Sequence, residues 1–362
     1  MKSPIPADSP AKARAQLDVA DGQCVRLEQR GTLPAPAHVF DERSINAVNA
    51  ALAARRPLLV RGEPGTGKSQ LARATAEHLG RPLISKVIDN RTEARDLLWE
   101  FDAVARLAEA QLMSALPPGA AGGGELRDQL APRRFVKPGP LWWAINWKGA
   151  VAQLAELCVP AQAPRAPARW AMGQGSVLLI DEIDKGESDV PNGLLEALGE
   201  GLFRPPGFDE AVEFDGGQPP LVIITTNEER ALPNAFLRRC LVLRLALPRL
   251  RVDSGEAERK AFVEFLIARG AAHFSEDSAR GQGVGAAEAR EPVSKEVLEE
   301  AATMLMNDRL SALERELPPP GLAEYLDLLR AVREQERAPK RQLALLKQLS
   351  EFVYEKHLVD RR

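Results

Sequence analysis

An α/β fold is predicted for this chain, a parallel sheet with helices on both faces followed by a small all-helical lid region. Three observations carry that prediction. Five short apolar runs, beginning near Leu58, Leu83, Ser176, Leu221 and Leu241, alternate with stretches of helical period. Two of them, Ser176 to Ile180 and Leu221 to Thr226, are apolar almost throughout, as strands covered on both faces must be. Beyond about Ser254 the strand pattern stops and only helical periods remain.

Taken in order, residues 1–35 mix Pro, Ala and charge without a sustained apolar period and are expected to be a poorly ordered lead-in. Ile45, Val48 and Leu52 mark a helix that runs into Arg55-Arg56-Pro57, after which Leu58-Leu59-Val60 forms the first strand. A glycine-rich loop follows, then a helix from Gln70 to Leu79 stopped by Gly80 and Pro82. Leu83 to Ile88 is the second strand. Leu98, Phe101, Val104, Leu107 and Leu112 predict a helix between Arg95 and Gln111, and Pro117 to Gly124 a flexible break. A helical stretch from Leu141 to Leu157 leads to the broken segment Pro160 to Pro167, and Val177 to Ile180 ends in Asp181-Glu182. The remaining strands are Leu221 to Thr226 and Leu241 to Leu245. The helical region is divided by the glycines of Gly281 to Gly285 and by Pro318-Pro319-Pro320. The chain's 362 residues suffice for a large domain at 36–250, with insertions around 95–170, and a smaller one with a C-terminal helix at 251–362.

Composition narrows the function classes. Lys and Arg number 48 against 51 Asp and Glu, a net charge of -3, so no overall positive field supports a nucleic-acid partner. Cys24, Cys158 and Cys240 are scattered without a CxxC pair, which predicts a reducing compartment and no structural zinc. No apolar run approaches the roughly 18 residues of a membrane span, and the N-terminus has no secretory stretch, so a cytoplasmic protein is expected. The four dispersed histidines give no histidine-based catalytic centre.

Gly62-Glu63-Pro64-Gly65-Thr66-Gly67-Lys68-Ser69 lies between a strand and a helix. Glycines there let the backbone wrap closely around phosphates, and the helix adds its positive N-terminal dipole. Lys68 is expected on the β- and γ-phosphates, the Ser69 hydroxyl on Mg²⁺, and Gln70 beside them. Phosphate transfer also needs an acidic pair at the end of a buried strand, and Asp181 and Glu182 fit. Asp181 would act through the metal's shell and Glu182 as general base on water. Asp184 reads as a site residue or a local helix cap. Asn227, at the tip of the fourth strand, could hydrogen-bond the γ-phosphate or the water. Arg238 and Arg239 could spread over phosphoryl oxygens that gain charge, or complete a helix C-terminus. Trp142, Trp143 and Trp147 read first as core, and second as a partner contact.

In this order, Gly62 to Ser69, Val177 to Glu182, Thr225-Thr226-Asn227 and Phe236-Leu237-Arg238-Arg239 resemble Walker A, Walker B, sensor 1 and the arginine finger of an AAA+ ATPase. More narrowly, Arg61 to Ser69, Leu178 to Lys185 and Leu194-Leu195-Glu196-Ala197-Leu198 resemble the MoxR family over roughly residues 38–335. The resemblance implies ATP and Mg²⁺ as cofactors, hydrolysis of ATP, and a ring, commonly a hexamer, in which Arg238 or Arg239 acts on the neighbouring subunit's nucleotide. It also implies chaperone-like remodelling of a protein client, usually with a von Willebrand factor A domain partner, and some members sit in bacterial defence systems. The long interval from Lys68 to Asp181 is where the family carries insertions. Pro318 to Glu324 places Ala323 where the family's second sensor often has an arginine, which implies slow turnover or a substitute such as Arg330.

Overall fold

The structure, a computed structural model, describes residues 16–27, 37–114, 128–274 and 293–353. The expected breaks at Pro117 to Gly124 and Gly281 to Gly285 lie outside the described residues. In chain order come β1 (Cys24–Arg26), β2 (Ala37–Val39), α1 (Glu42–Ala54), β3 (Leu58–Arg61), α2 (Lys68–Leu79), β4 (Leu83–Val87), β5 (Trp99–Phe101), α3 (Ala103–Ser114), β6 (Val136–Pro138), α4 (Pro140–Ile145) and α5 (Trp147–Glu156). There follow β7 (Val177–Asp181), α6 (Asp189–Glu200), β8 (Leu202–Phe203), β9 (Val212–Glu213), β10 (Leu221–Thr226), α7 (Asn234–Arg239) and β11 (Leu241–Arg244). Four helices close the chain: α8 (Glu256–Phe274), α9 (Lys295–Glu314), α10 (Leu322–Gln335) and α11 (Pro339–Val353).

The chain divides into two compact units. The first holds residues up to Val19, Glu42–Arg61 and Leu71–Leu243, and with them the sheet. Its five strands lie in the order β11, β3, β10, β7, β4, with β3, β10, β7 and β4 paired in parallel. All five expected strands and the α/β class are therefore present. Burial along the strands follows their place in the sheet. The three inner strands are buried almost end to end, whereas the edge strands β4 and β11 alternate, with Val87 and Val242 facing out. Register brings Val60, Thr225 and Asp181 level near the carboxyl ends of three adjacent strands. In an open parallel sheet this edge is where ligands bind.

Trp142, Trp143 and Trp147 belong to this unit's core. Trp142 meets Phe203 and Phe208 edge-on, and Trp147 packs against Trp143 and Trp170. Cys240 is a small buried residue, and burial pushes its thiol up to about 11. Two helices expected from periodicity are interrupted. The stretch from Arg95 to Gln111 contains β5, antiparallel to β6, because the extended segment at Trp99 finds its partner at Pro138, a distant pairing that periodicity does not report. The stretch from Leu141 to Leu157 breaks at Asn146, whose Oδ1 accepts the Gly149 N–H at 2.7 Å and starts α5 afresh.

The second unit holds Ala20–Asp41, Gly62–Gln70 and the chain from Arg244 onward. Its core is helical, built from Phe262, Leu266, Val297, Leu298, Ala301, Leu305, Tyr325, Leu328, Leu329 and Leu346. The lead-in reading needs correction at the described residues 16–27. Cys24–Arg26 pairs antiparallel with Ala37–Val39, and Leu17 and Leu27 are buried. A three-residue strand held by backbone ladder bonds leaves no periodic signature in the sequence. Among the described residues, no helix is long and apolar enough to cross a membrane.

His38 and His273 in this unit are held neutral. Burial, reinforced for both by Arg269, lowers each from 6.5 to about 4. A histidine depressed in the folded state contributes stability that is complete above pH 6.5 and lost as pH falls from 6.5 toward 4, because the unfolded chain then binds the extra proton. The slope is at most about 1.4 kcal/mol per pH unit per histidine. Denaturant midpoints measured from pH 7 to 5 should fall, and should flatten in His38→Gln/His273→Gln; an equal slope in the double variant would assign the loss to other groups.

Candidate functional site

The acidic edge of the first unit is built around a strained residue. Glu182 follows β7 with φ of 59°, a left-handed conformation that costs a non-glycine residue about 1–2 kcal/mol. Thr225 on β10 holds it there. The Thr225 Oγ1 accepts the Glu182 N–H at 2.9 Å, and the same hydroxyl donates to Asp181 Oδ1. The two Glu182 oxygens have separate partners, Asn227 Nδ2 at 3.4 Å on Oε1 and Lys185 Nζ at 2.9 Å on Oε2. That carboxylate in turn holds the Lys185 ammonium above its usual range, first through the hydrogen bond and then by charge. The sequence-predicted residues Asp181, Glu182 and Asn227 are thus brought together, with Thr225, named in the sequence only as part of the Thr225-Thr226-Asn227 motif, as their organiser. The available signal was a hydroxyl two residues before Asn227 on the strand beside Asp181.

Asp184 is not a helix cap; it supports the backbone beside Asn227. Only 2% exposed, its carboxylate accepts the backbone N–H of Asn227 at 3.4 Å and of Glu229 at 2.9 Å. It braces the turn after β10, where Glu228 is also left-handed and its carboxylate pairs with Arg61 at 2.6 Å. A buried carboxylate needs such donors, and the turn needs an acceptor for its N–H groups.

In the second unit, Gly62 to Ser69 forms a closed loop leading into α2. A Cβ on Gly62 would stand 2.0 Å from the Leu245 carbonyl oxygen, and one on Gly65, whose φ is +76°, would stand 2.6 Å from the Ala323 Cβ. Side chains are excluded at both positions, so the backbone itself lines the loop. Lys68 is 7% exposed, and its Nζ donates to the carbonyls of Gly62 at 2.8 Å and Glu63 at 2.9 Å. Thr66 Oγ1 also donates to the Glu63 carbonyl, at 2.9 Å. Pro64 is exposed at the loop tip, and Ser69 and Gln70 are half-buried in the first turn of α2. Gln70 Oε1 is buried without a hydrogen-bond partner.

The loop has a contact that the sequence reading missed. Arg309 on α9 is 8% exposed and its Nη2 reaches both Glu63 oxygens, at 2.8 and 2.9 Å. The signal was present, since Leu298, Ala302, Leu305 and Arg309 run down the buried stripe of α9 and only the last is charged. Arg330, the expected substitute, pairs instead with Asp327 at 2.6 Å. Ala323 does lie against the loop, at Gly65, and offers it a methyl group.

Arg238 and Arg239 end α7 with exposed side chains. The helix's last carbonyls are taken by Arg56, which donates to those of Arg238 and Arg239. Arg56 thus caps the carbonyls, while Arg238 and Arg239 lie in the helix's last turn, where cations suit its dipole. Among the described residues no group of three or more His, Cys, Asp or Glu could hold a metal ion.

A protein-family model described as AAA domain, dynein-related subfamily, matches residues 57–240, just over half of the chain. No curated protein matches the sequence. Among solved structures, a candidate ATPase from Cytophaga hutchinsonii ATCC 33406 aligns over 86% of this chain and 79% of its own, at 14% identity and a TM-score of 0.34, a likeness too weak to bear on function.

Proposed function

We propose, from the premise that this chain belongs to the AAA domain family, dynein-related subfamily, that it is a Mg²⁺-dependent ATPase of the MoxR type, working as a ring on a protein client. The observation that carries the reading is the pinned glutamate: Glu182 is held in a strained conformation by Thr225, beside Asp181 and Asn227, at the carboxyl edge of the sheet. Backbone strain held by dedicated hydrogen bonds is concentrated at active sites, which supports a chemical role for Glu182.

In this reading Gly62, Glu63, Pro64, Gly65, Thr66 and Gly67 direct backbone N–H groups at the phosphates, Lys68 adds a cation, and Gln70 lies beside them. A Cβ at Gly62 would meet the Leu245 carbonyl oxygen and one at Gly65 the Ala323 Cβ, so glycine keeps side chains out of the loop there, which suits a phosphate cradle. Ser69 and Asp181 are the proposed holders of Mg²⁺, an ion commonly bound by one or two protein oxygens together with substrate phosphates. Bound, it neutralises charge on the transferred phosphoryl group. Glu182 takes the proton of the attacking water and Asn227 orients that water. Arg238 or Arg239, exposed on α7, reaches the nucleotide of the next subunit. The partner in this reading is a von Willebrand factor A domain protein, with client contacts in the insertions of 95–170, and the setting is cytoplasmic.

Mixing tests the shared site. Glu182→Gln and Arg238→Ala/Arg239→Ala should each release almost no phosphate alone, and mixed rings should regain activity because each supplies what the other lacks. No recovery on mixing, with ring assembly verified by light scattering, would sink the shared-site reading. A second reading, an ATP-bound assembly scaffold with little hydrolysis, is favoured by the methyl group of Ala323 against Gly65. Tight ATP binding and assembly with negligible phosphate release would select it.

A further inference from the structure

We propose that Arg309 is a positioning residue that clamps the phosphate loop to the start of α10 through Glu63, and so sets how tightly the loop holds nucleotide. The inference rests on the reading of Gly62 to Ser69 as the nucleotide site. One guanidinium makes both ends of the clamp. Its Nη2 binds both oxygens of Glu63, and its Nη1 donates to the carbonyl of Pro320 at 2.8 Å, one residue before the glycine that opens α10. Around it the loop and the helix start are in close approach, with Gly65 against Ala323. A side chain at Gly65, or one larger than the methyl group of Ala323, would part the two surfaces that Arg309 joins. The loop's own network is continuous with the clamp, because the residue whose carboxylate meets Arg309 also offers its carbonyl to Lys68 Nζ and Thr66 Oγ1. A shift of Glu63 thus moves the acceptor that fixes Lys68.

The two partners are unequally exposed, which shapes the test. Arg309 is 8% exposed and Glu63 51%. Neutralising Glu63 leaves a buried guanidinium short of its counter-charge, whereas replacing Arg309 by a hydrophobe of similar length leaves a solvated carboxylate and takes one donor from the Pro320 carbonyl. Arg309→Met should therefore fold normally and lose the clamp alone.

Two measurements on the full chain separate the clamp from the nucleotide reading. In the nucleotide-free protein, backbone hydrogen exchange across residues 62–70 should quicken about tenfold in Arg309→Met and in Glu63→Gln, with the double variant no faster than the quicker single, because both remove one interaction. Loop exchange unchanged in Arg309→Met, or additive effects in the double variant, would overturn the clamp whatever the loop binds. In steady-state phosphate release, Arg309→Met should raise KM for MgATP about tenfold and leave kcat within about threefold, since a ground-state hold on the loop is lost. A fall in kcat at unchanged KM would overturn the positioning role. If the wild-type protein binds no nucleotide at all, the functional reading falls, and loop exchange alone still decides whether the clamp exists.

Discussion

Replacing Glu182 by Gln should cut single-turnover phosphate release by two to four orders of magnitude, the usual range for a lost general base, while ATP affinity stays within about threefold of wild type. The substitution is close to isosteric. An amide keeps one oxygen for Asn227 Nδ2 or Lys185 Nζ, and the backbone bond from the Glu182 N–H to Thr225 is untouched, so the left-handed turn should survive. What disappears is the basic oxygen pair. Quenched-flow phosphate release with a parallel fluorescent-nucleotide titration reads both quantities. Release that persists within tenfold of wild type would remove Glu182 from the role of base. Thr225→Val offers a companion measure of the same architecture, since it deletes the hydroxyl that links Asp181 to the Glu182 backbone and leaves the carboxylates in place.

Lys68→Ala should weaken ATP binding about a hundredfold, or about 2.7 kcal/mol, the scale of a charge-assisted contact to phosphate. Two consequences of the change add. The phosphates lose a cation at the loop, and the carbonyls of Gly62 and Glu63 lose the donor that draws them inward. Lys68→Met separates the two only in bulk, filling the space without restoring either bond, and is expected to bind as poorly as the alanine variant. Titration calorimetry with ATP and excess Mg²⁺ is the direct measurement. Affinity within threefold of wild type would mean that the loop's backbone N–H groups and the α2 dipole hold the phosphates by themselves.

Much of the sheet was legible in the sequence, because a parallel strand buried on both faces must be apolar from end to end, as Val177 to Ile180 and Leu221 to Ile224 are. What periodicity could not report was pairing. Trp99–Phe101 reads as part of a helix until Val136–Pro138 supplies its partner, and Cys24–Arg26 reads as lead-in until Ala37–Val39 does. Local propensity is a weak prior, and a distant strand overrides it.

The same division runs through the candidate site. Gly62 to Ser69, Asp181, Glu182 and Asn227 were legible because their chemistry demands particular residue types at short spacing within one loop or at one strand end. By itself the sequence determined the phosphate loop, the order of the five strands along the chain and the acidic pair that ends the third. Only the tertiary structure decided that Thr225 pins Glu182, that Asp184 braces the turn after β10, that Arg56 caps the last carbonyls of α7, and that Arg309 meets Glu63. The physical reason is that each of these contacts joins residues between 43 and 246 positions apart, and for Asp184 and Arg309 what selects the partner is burial. A carboxylate or guanidinium withdrawn from water must find its counter-group wherever the fold brings one within reach, and spacing along the chain carries no record of where that is.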